Sequence, residues 1–212
     1  MQMNRSLKYF ILTGIVFTTC AAFLTLDQNS EVRKTFVDPR DGQTYPVVKL
    51  GNIYWFASNL NYNSIKSECY EDKQISCGEW GRLYPITEFR NVCPDGWRLP
   101  NKTDWKILEE IIAKEGVHAL YLGHNWKNNE DASNSTGLSL VPSGFKHKKK
   151  FLHQYLNSTI WFNDITKEGS NWHFHTDGKN NVEEYYFHTH EEEVYDRKFA
   201  VRCVCESQEF EK

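Results

Sequence analysis

Alternating apolar and polar residues near the start of the chain predict a β-hairpin. Residues 44–50 and 53–56 each have the pattern of a short strand, and Gly51-Asn52 between them is a two-residue turn signal. Asp41-Gly42 predicts another tight turn just before the first strand. The chain therefore opens its folded part with two antiparallel strands.

The hydrophobic period changes to that of a helix after residue 101. Apolar side chains recur at spacings of three and four residues across 104–115, and Gly116 marks the end. The recurring residues are Trp105, Leu108, Ile111 and Ile112. Asn101 or Thr103 can cap the first turn. We predict a helix over 104–115, a short helical segment over 117–122, and then a polar loop.

The second half of the chain carries short alternations typical of antiparallel strands. They lie at 138–145, 159–162, 171–176, 185–190 and 199–205. One or two helices followed by a run of strands predict an α+β fold. Aromatic residues make up 15% of the chain, so we expect an aromatic core.

The first 26 residues are patterned as an export signal. Arg5 and Lys8 precede an uncharged apolar run, residues 9–26. That run is also just long enough to remain as an N-terminal membrane anchor. Cys20 ends FTTC, an imperfect lipobox, and is a lipidation candidate. The alternative is an unmodified cysteine in a signal that is cleaved near Ala22.

These patterns divide the chain into four parts. Residues 1–26 are a signal peptide, lipoprotein signal or anchor, 27–35 an exposed linker, 36–206 one domain, and 207–212 a tail. The formal net charge is −3, and it falls to −5 without residues 1–26, because these hold two basic residues and no acid. We therefore expect no nucleic-acid partner.

Five cysteines follow Cys20, an odd number. Cys69 and Cys77 enclose a short polar loop, which suggests a local disulfide. Cys93 can pair with Cys203 or Cys205 and would tie the end of the chain to its middle. A redox pair of Cys203 and Cys205 is the sharper alternative, but side chains two residues apart on a strand lack good disulfide geometry.

Six segments occur in a distinctive order along residues 36–205. They are DGQTYPVVKLGNIYWFASNL, GEWGRLY, CPDGWRLPNKTDWKIL, STGLSLVPSGF, TIWF and FAVRCV. Together they resemble the Fibrobacter succinogenes major paralogous domain family of exported bacterial proteins. The resemblance implies a C-type-lectin-like fold, related to that of formylglycine-generating enzymes. Such a fold has a short N-terminal hairpin, one or two helices, a twisted antiparallel sheet with long loops, and a last strand that pairs back near the start.

The same resemblance implies the cysteine pairing. Cys93 and Cys203 match the family's paired positions, as do Cys69 and Cys77 in members with the extra loop, so Cys205 becomes the free-thiol candidate.

The stretch CPDGWRLPNKTDW is interpreted as a structural corner. Trp97 is expected to bury its ring at the exit of the turn, and Trp105 to anchor the helix onto the sheet.

Two His-x-His pairs are candidate metal ligands: His173 with His175, and His188 with His190. On neighbouring strands they could present four imidazoles to zinc or copper, provided that His173 lies opposite His190 and His175 opposite His188. A tight turn at Asp177 would break this cluster. The alternative is a polar sheet face.

Two further patterns suggest ligands. Asn163 and Asp164 end WFND, which is similar to the sugar-site motif of calcium-dependent C-type lectins, although the partner tripeptide is absent. Acidic residues between 183 and 196 could hold calcium, but a solvated charged edge is the simpler reading. The basic run 146–150 favours a solvated turn over phosphate binding.

The leading hypothesis is a non-catalytic binding or adhesion module of a Gram-negative cell envelope. It would be periplasmic, surface-exposed or an outer-membrane lipoprotein, with membrane association through its N-terminus. Its loop-rich face, residues 123–150 and 163–196, would take a polysaccharide or an envelope protein. No cofactor is expected, with zinc or calcium as alternatives. An oxidoreductase using the late cysteines is a second alternative, since RLPNKTDW is similar to a formylglycine-generating-enzyme segment.

Overall fold

The computed structural model describes residues 34–123, 126–127, 132–163, 171–176, 185–190 and 194–210, with only the backbone for 171–176, 185–190, 194 and 209. These residues belong to one compact unit, Val32–Lys212. The predicted signal segment, Cys20 and most of the linker lie outside them. Within the described part, no helix combines the length and the apolar character needed to cross a membrane.

The first sheet joins the two ends of the domain. It consists of β1 (Thr35–Val37), β2 (Thr44–Leu50), β3 (Ile53–Phe56) and β11 (Val204–Glu206), all antiparallel and in that order. The predicted hairpin is confirmed with its bounds. Val204 lies opposite Trp55, so the last strand pairs back near the start.

Two further antiparallel sheets complete the strand arrangement. One has the order β4 (Tyr84–Pro85), β10 (Arg197–Phe199), β5 (Phe145–His147) and β6 (Lys150–Leu152). The other has the order β7 (Ser158–Trp161), β8 (Asn171–Thr176) and β9 (Tyr185–His190). The α+β class with antiparallel sheets is therefore confirmed.

The described helices are α1 (Gln74–Trp80), α2 (Lys102–Glu115) and α3 (Ser207–Phe210). α2 begins two residues before the predicted start because Asn101, rather than Thr103, is its cap. The Asn101 side chain accepts from the backbone of Thr103 and Asp104, and Asp104 accepts from the Asn101 backbone in return. A 3-10 turn, Val117–Leu120, replaces the predicted second helical segment.

The interval between Cys69 and Cys77 was expected to be a loop, and this is wrong. A 3-10 turn fills 70–72 and α1 begins at Gln74. Helical periodicity is weak here because the helix has only seven residues and leaves Ile75 78% exposed. Its stabilisation comes from tertiary structure instead, since the Cys69–Cys77 disulfide fixes it covalently.

Two predicted strands are broken up. In 138–145, Leu140 forms an isolated bridge to Tyr121 and Gly144 forms one to Ser158, and β5 begins only at the end of the interval. The segment 199–205 divides between β10 and β11. The break falls where Ala200 leaves the second sheet to bridge Ile160 and where the Arg202 side chain enters the core.

The described residues contain one local disulfide and one that joins distant parts of the chain. Cys69 bonds to Cys77, and Cys93 to Cys203 over a separation of 110 residues. Cys205 is buried and takes part in neither bond. A redox pair of Cys203 and Cys205 is therefore not formed, because Cys203 is already bonded to Cys93.

The two singled-out tryptophans lie in the core. Trp97 packs against Phe56, with ring centroids 4.4 Å apart, and against Phe210 at 5.5 Å. Residues 207–210 of the predicted tail thus form a helical turn that adds a core side chain. Trp105 is buried in α2 and meets Phe162 edge-on at 6.2 Å.

Arg202 is the one arginine among the described residues with no exposed surface. Its Nε donates to Asn59 Oδ1 at 2.8 Å, and its Nη2 donates to Ser139 O at 2.7 Å. Nη1 donates to Phe56 O at 3.2 Å and to Leu138 O. Burial lowers the pKa of Arg202 to about 9, so the guanidinium is still charged at neutral pH.

We predict that Arg202→Met lowers the free energy of unfolding by at least about 3 kcal/mol, because it leaves buried acceptors without hydrogen-bond donors. Urea denaturation measures the change. Arg90→Met, at an exposed arginine, is the control and should shift stability by less than about 0.5 kcal/mol. Equal midpoints for Arg202→Met and the parent protein would contradict the role assigned to this arginine.

Candidate functional site

A small polar cleft lies between the first sheet and α1, and we call it the amide cleft. Its volume is about 220 Å³. Four chain segments line it, at 43–45, 57–61, 77–81 and 139–141, with Leu122. Polar side chains of the lining come from Gln43, Tyr45, Asn59, Asn61, Glu79 and Ser139.

Gln43 forms one wall and is fixed by the turn before β2. Asp41 accepts from the Gln43 backbone at 3.0 Å and from its Nε2 at 2.6 Å. The same Nε2 also donates to Asn61 O at 3.0 Å. Both amide hydrogens are therefore used, and Gln43 Oε1 accepts no bond from the described residues.

Asn59 is the structural amide of the cleft. Its Nδ2 donates to Trp80 O at 2.8 Å and thereby satisfies a carbonyl in the last turn of α1. Its Oδ1 accepts from Arg202 Nε. Because each end of this amide already holds a hydrogen bond, Asn59 connects α1 to the buried arginine.

Asn61 differs from Asn59, because its side-chain oxygen is unused. Its backbone N–H donates to the Tyr45 hydroxyl at 3.1 Å. Its Oδ1 is buried and has no hydrogen-bond donor in the described part of the chain. A buried acceptor without a donor is unfavourable unless a ligand or water supplies one.

Tyr45 is held as a neutral phenol beside Asn61. Its ring is 3% exposed and stacks on Phe56 with centroids 4.6 Å apart. Burial raises the pKa of Tyr45 to about 12. The hydroxyl therefore remains protonated across the physiological range and can still donate one hydrogen bond.

Ser139 forms the opposite wall in a left-handed backbone conformation, with φ of 57°. Asn134 stabilises it, accepting from Ser139 N at 2.9 Å and donating to Ser139 Oγ at 3.0 Å. This conformation lets Ser139 O accept from Arg202. The wall is thus attached to the same guanidinium as Asn59.

The four candidate metal ligands do not have the strand register that a cluster of four imidazoles requires. His173 lies opposite His188, Asn171 opposite His190, and His175 opposite Tyr186. The observed register therefore differs by two residues from the one that pairs His173 with His190. The side chains of both strands lie outside the described residues, and the rest of the described chain holds no cluster of three potential ligands. Metal binding stays a prediction.

The predicted calcium-dependent sugar site is only half described. Asn163 is exposed, and its backbone N–H donates to Pro100 O at 2.7 Å. Asp164 lies outside the described residues, as do the acidic residues 183, 184 and 191–193. Asp196 is described and exposed.

A wider groove of about 450 Å³ is lined mostly by residues outside the predicted loop-rich face, which contributes Tyr195 to it. Tyr195, 63% exposed, lies on its rim with Lys198. Lys198 and Lys146 both bind the Glu68 carboxylate. Burial alone would raise the pKa of Glu68, but the hydrogen bonds from these lysines lower it below its ordinary value. Two charged groups of the groove, Glu68 and Lys198, therefore already pair with each other.

The family model of the Fibrobacter succinogenes major domain matches residues 48–205 of the chain. The chain belongs to this family. No curated protein and no solved structure matches it. The residues that match the family model include both disulfides and every segment of the amide cleft except 43–45.

Sequence reasoning missed the amide cleft of this Fibrobacter succinogenes major domain. Its residues come from segments almost a hundred positions apart, and none forms a spaced motif. The alternation of Asn59 and Asn61 around Leu60 was the available signal, since it places two amides beside a fully buried leucine.

We predict opposite effects for two alanine substitutions beside the cleft. Gly81 has φ of 73°, and an added Cβ would lie 2.6 Å from Asn59 Cβ, so Gly81→Ala should cost about 2 kcal/mol or more. Gly78 lies in α1, and an added Cβ there meets no atom within 4 Å. Gly78→Ala should stabilise by up to about 1 kcal/mol. Urea denaturation of both variants checks this, and equal effects would contradict the fit at Gly81.

Proposed function

We propose that this protein is an exported, non-catalytic binding module of the bacterial cell envelope, and that its amide cleft holds a sugar unit of a polysaccharide. The observation that carries the proposal is the unused Asn61 Oδ1, together with Gln43 Oε1 and the Tyr45 hydroxyl. Sugar hydroxyls donate and accept at once, so they suit a cleft with two unused acceptors and one available donor.

The size and charge of the cleft support a small uncharged or weakly charged group. A volume of about 220 Å³ is below the range of about 300–1,000 Å³ for drug-sized ligands. The lining holds one carboxylate, that of Glu79, which is exposed. One sugar unit, at a chain end or in a branch, is therefore the ligand that the cleft suits.

A C-type-lectin-like scaffold is part of the proposal. Its support is the hairpin of β2 and β3, the pairing of β11 with β3, and the disulfide that joins Cys93 beside α2 to Cys203 before the last strand. Polar loops displayed on such a framework form binding surfaces, because the framework keeps them in place.

The N-terminal pattern and the disulfides support the proposed envelope location. The charged and apolar segments of residues 1–26 favour export, with Cys20 as a lipid attachment point in an outer-membrane lipoprotein. Two disulfides suit an oxidising compartment such as the periplasm or the cell surface.

We predict that Asn61→Ala weakens saccharide binding at least tenfold, about 1.4 kcal/mol, without loss of stability. An array of glycans and cell-wall polysaccharides, with and without calcium, identifies the ligand, and calorimetry then measures the affinity of each variant. Asn63→Ala is the matched control, because Asn63 is exposed two residues away.

The outcomes separate this site from the alternatives. Equal affinity for Asn61→Ala and Asn63→Ala would rule out the amide cleft. Calcium-dependent binding would favour Asn163 and Asp164 instead. No binding to any glycan would favour an envelope protein as the ligand.

A further inference from the structure

The amide cleft offers one hydrogen-bond acceptor and one donor at the same residue, Asn61. The side-chain Oδ1 of Asn61 is buried and has no donor among the described residues. The backbone N–H of Asn61 donates to the Tyr45 hydroxyl at 3.1 Å, so the phenolic oxygen is the acceptor in that bond and its own hydrogen is left to donate. Both residues line the cleft.

The cleft also has an apolar part, to which Ala57, Leu122 and Val141 contribute. Tyr121 and Leu140 form a bridge between two of its segments, and both side chains are buried in the core. Bridged residues point to one side of their strands, and the residues next to them in the chain point to the other. Leu122 and Val141 therefore turn away from the core towards the cleft, and each is only partly buried.

An acetamido group combines the three properties that complement this lining. Its N–H suits Asn61 Oδ1, and its carbonyl oxygen suits the Tyr45 hydroxyl, which keeps its proton at neutral pH. Its methyl group suits the aliphatic side chains of Leu122 and Val141. Such a small group also agrees with a cleft of about 220 Å³, which is less than a drug-sized ligand occupies.

Other common sugar substituents complement the lining less well. A hydroxyl group satisfies the polar atoms but has no methyl group to cover the aliphatic side chains. An ammonium group is a donor only, so it would leave the Tyr45 hydroxyl without an acceptor. A carboxylate is an acceptor only, so it would face Asn61 Oδ1 without a donor, and no lysine, arginine or histidine is among the described residues that line the cleft.

We propose that the amide cleft binds the acetamido group of an N-acetylated amino sugar, so that its polysaccharide ligand contains N-acetylhexosamine units. This inference rests on the proposed function and narrows its ligand class. The acetamido N–H donates to Asn61 Oδ1, the acetyl oxygen accepts from the Tyr45 hydroxyl, and the methyl group contacts Leu122 and Val141. A ring hydroxyl beside the acetamido group donates to Gln43 Oε1, on the same lining.

The test uses sugars that differ only in the group next to the anomeric carbon. In the glucose series, diacetylchitobiose carries acetamido groups, chitobiose carries free amines and cellobiose carries hydroxyls. The galactose series consists of N-acetylgalactosamine, galactosamine and galactose. Calorimetry on the parent protein should show that the acetylated member of at least one series binds at least about tenfold more tightly than both of its counterparts.

Two variants test the two parts of the cleft through the ratio of acetylated to hydroxyl-sugar affinity. Tyr45→Phe keeps the ring and removes the donor, so it should lower this ratio by about fivefold. Val141→Thr keeps the shape of the side chain and replaces a methyl with a hydroxyl, so it should lower the ratio by about threefold. Tyr155→Phe is the matched control, because Tyr155 is exposed and is not among the residues that line the cleft. It should leave the ratio unchanged.

The ratio separates recognition of the acetamido group from a structural role, because a disturbed fold weakens all three sugars of a series alike. Equal losses for acetylated and hydroxyl sugars in both Tyr45→Phe and Val141→Thr would therefore overturn the inference. Equal affinity of the parent for all members of both series, or a preference for the amine, would overturn it while the proposed function stands. Absence of binding to every sugar would overturn the proposed function with it.

Discussion

The guanidinium of Arg202 is the interaction on which the domain depends. It has no exposed surface and donates to the backbone of β3, to Asn59 and to the carbonyls of Leu138 and Ser139. These acceptors belong to three segments that no sheet holds together. Arg202, which lies just before β11, therefore connects the hairpin, the loop after it and a distant loop through the hydrogen bonds of one guanidinium. The charge is retained because carbonyl and amide oxygens replace water around it.

The amide cleft is a consequence of this arrangement. Asn59 bonds to Arg202 through its amide oxygen and to the end of α1 through its amide nitrogen. Ser139 adopts a left-handed conformation, and its carbonyl accepts from the same guanidinium. The two walls are therefore fixed before any ligand arrives. Preorganised polar groups lose little conformational entropy on binding, which favours recognition of a weakly hydrophobic ligand such as a sugar.

The two buried arginines show how burial alone fails to define a role. Arg202 is surrounded by acceptors and stabilises the fold, whereas the side chain of Arg82 is buried with no hydrogen-bond acceptor among the described residues. The difference is invisible in the sequence, where each arginine lies in a short apolar segment, GEWGRLY or FAVRCV. It arises from which backbone carbonyls the tertiary structure brings within reach.

The sequence by itself determined the local elements whose signals are complete within a few residues. The hairpin at Gly51-Asn52, the helix that Asn101 caps, the bounds of β8 and β9, and the family follow from such signals. Only the tertiary structure decided that α1 forms between two cysteines, that the segment 199–205 divides around Arg202, and that His173 lies opposite His188. It alone also assembled the amide cleft, because hydrogen bonds to buried polar groups join residues that are distant along the chain, and no periodicity records them.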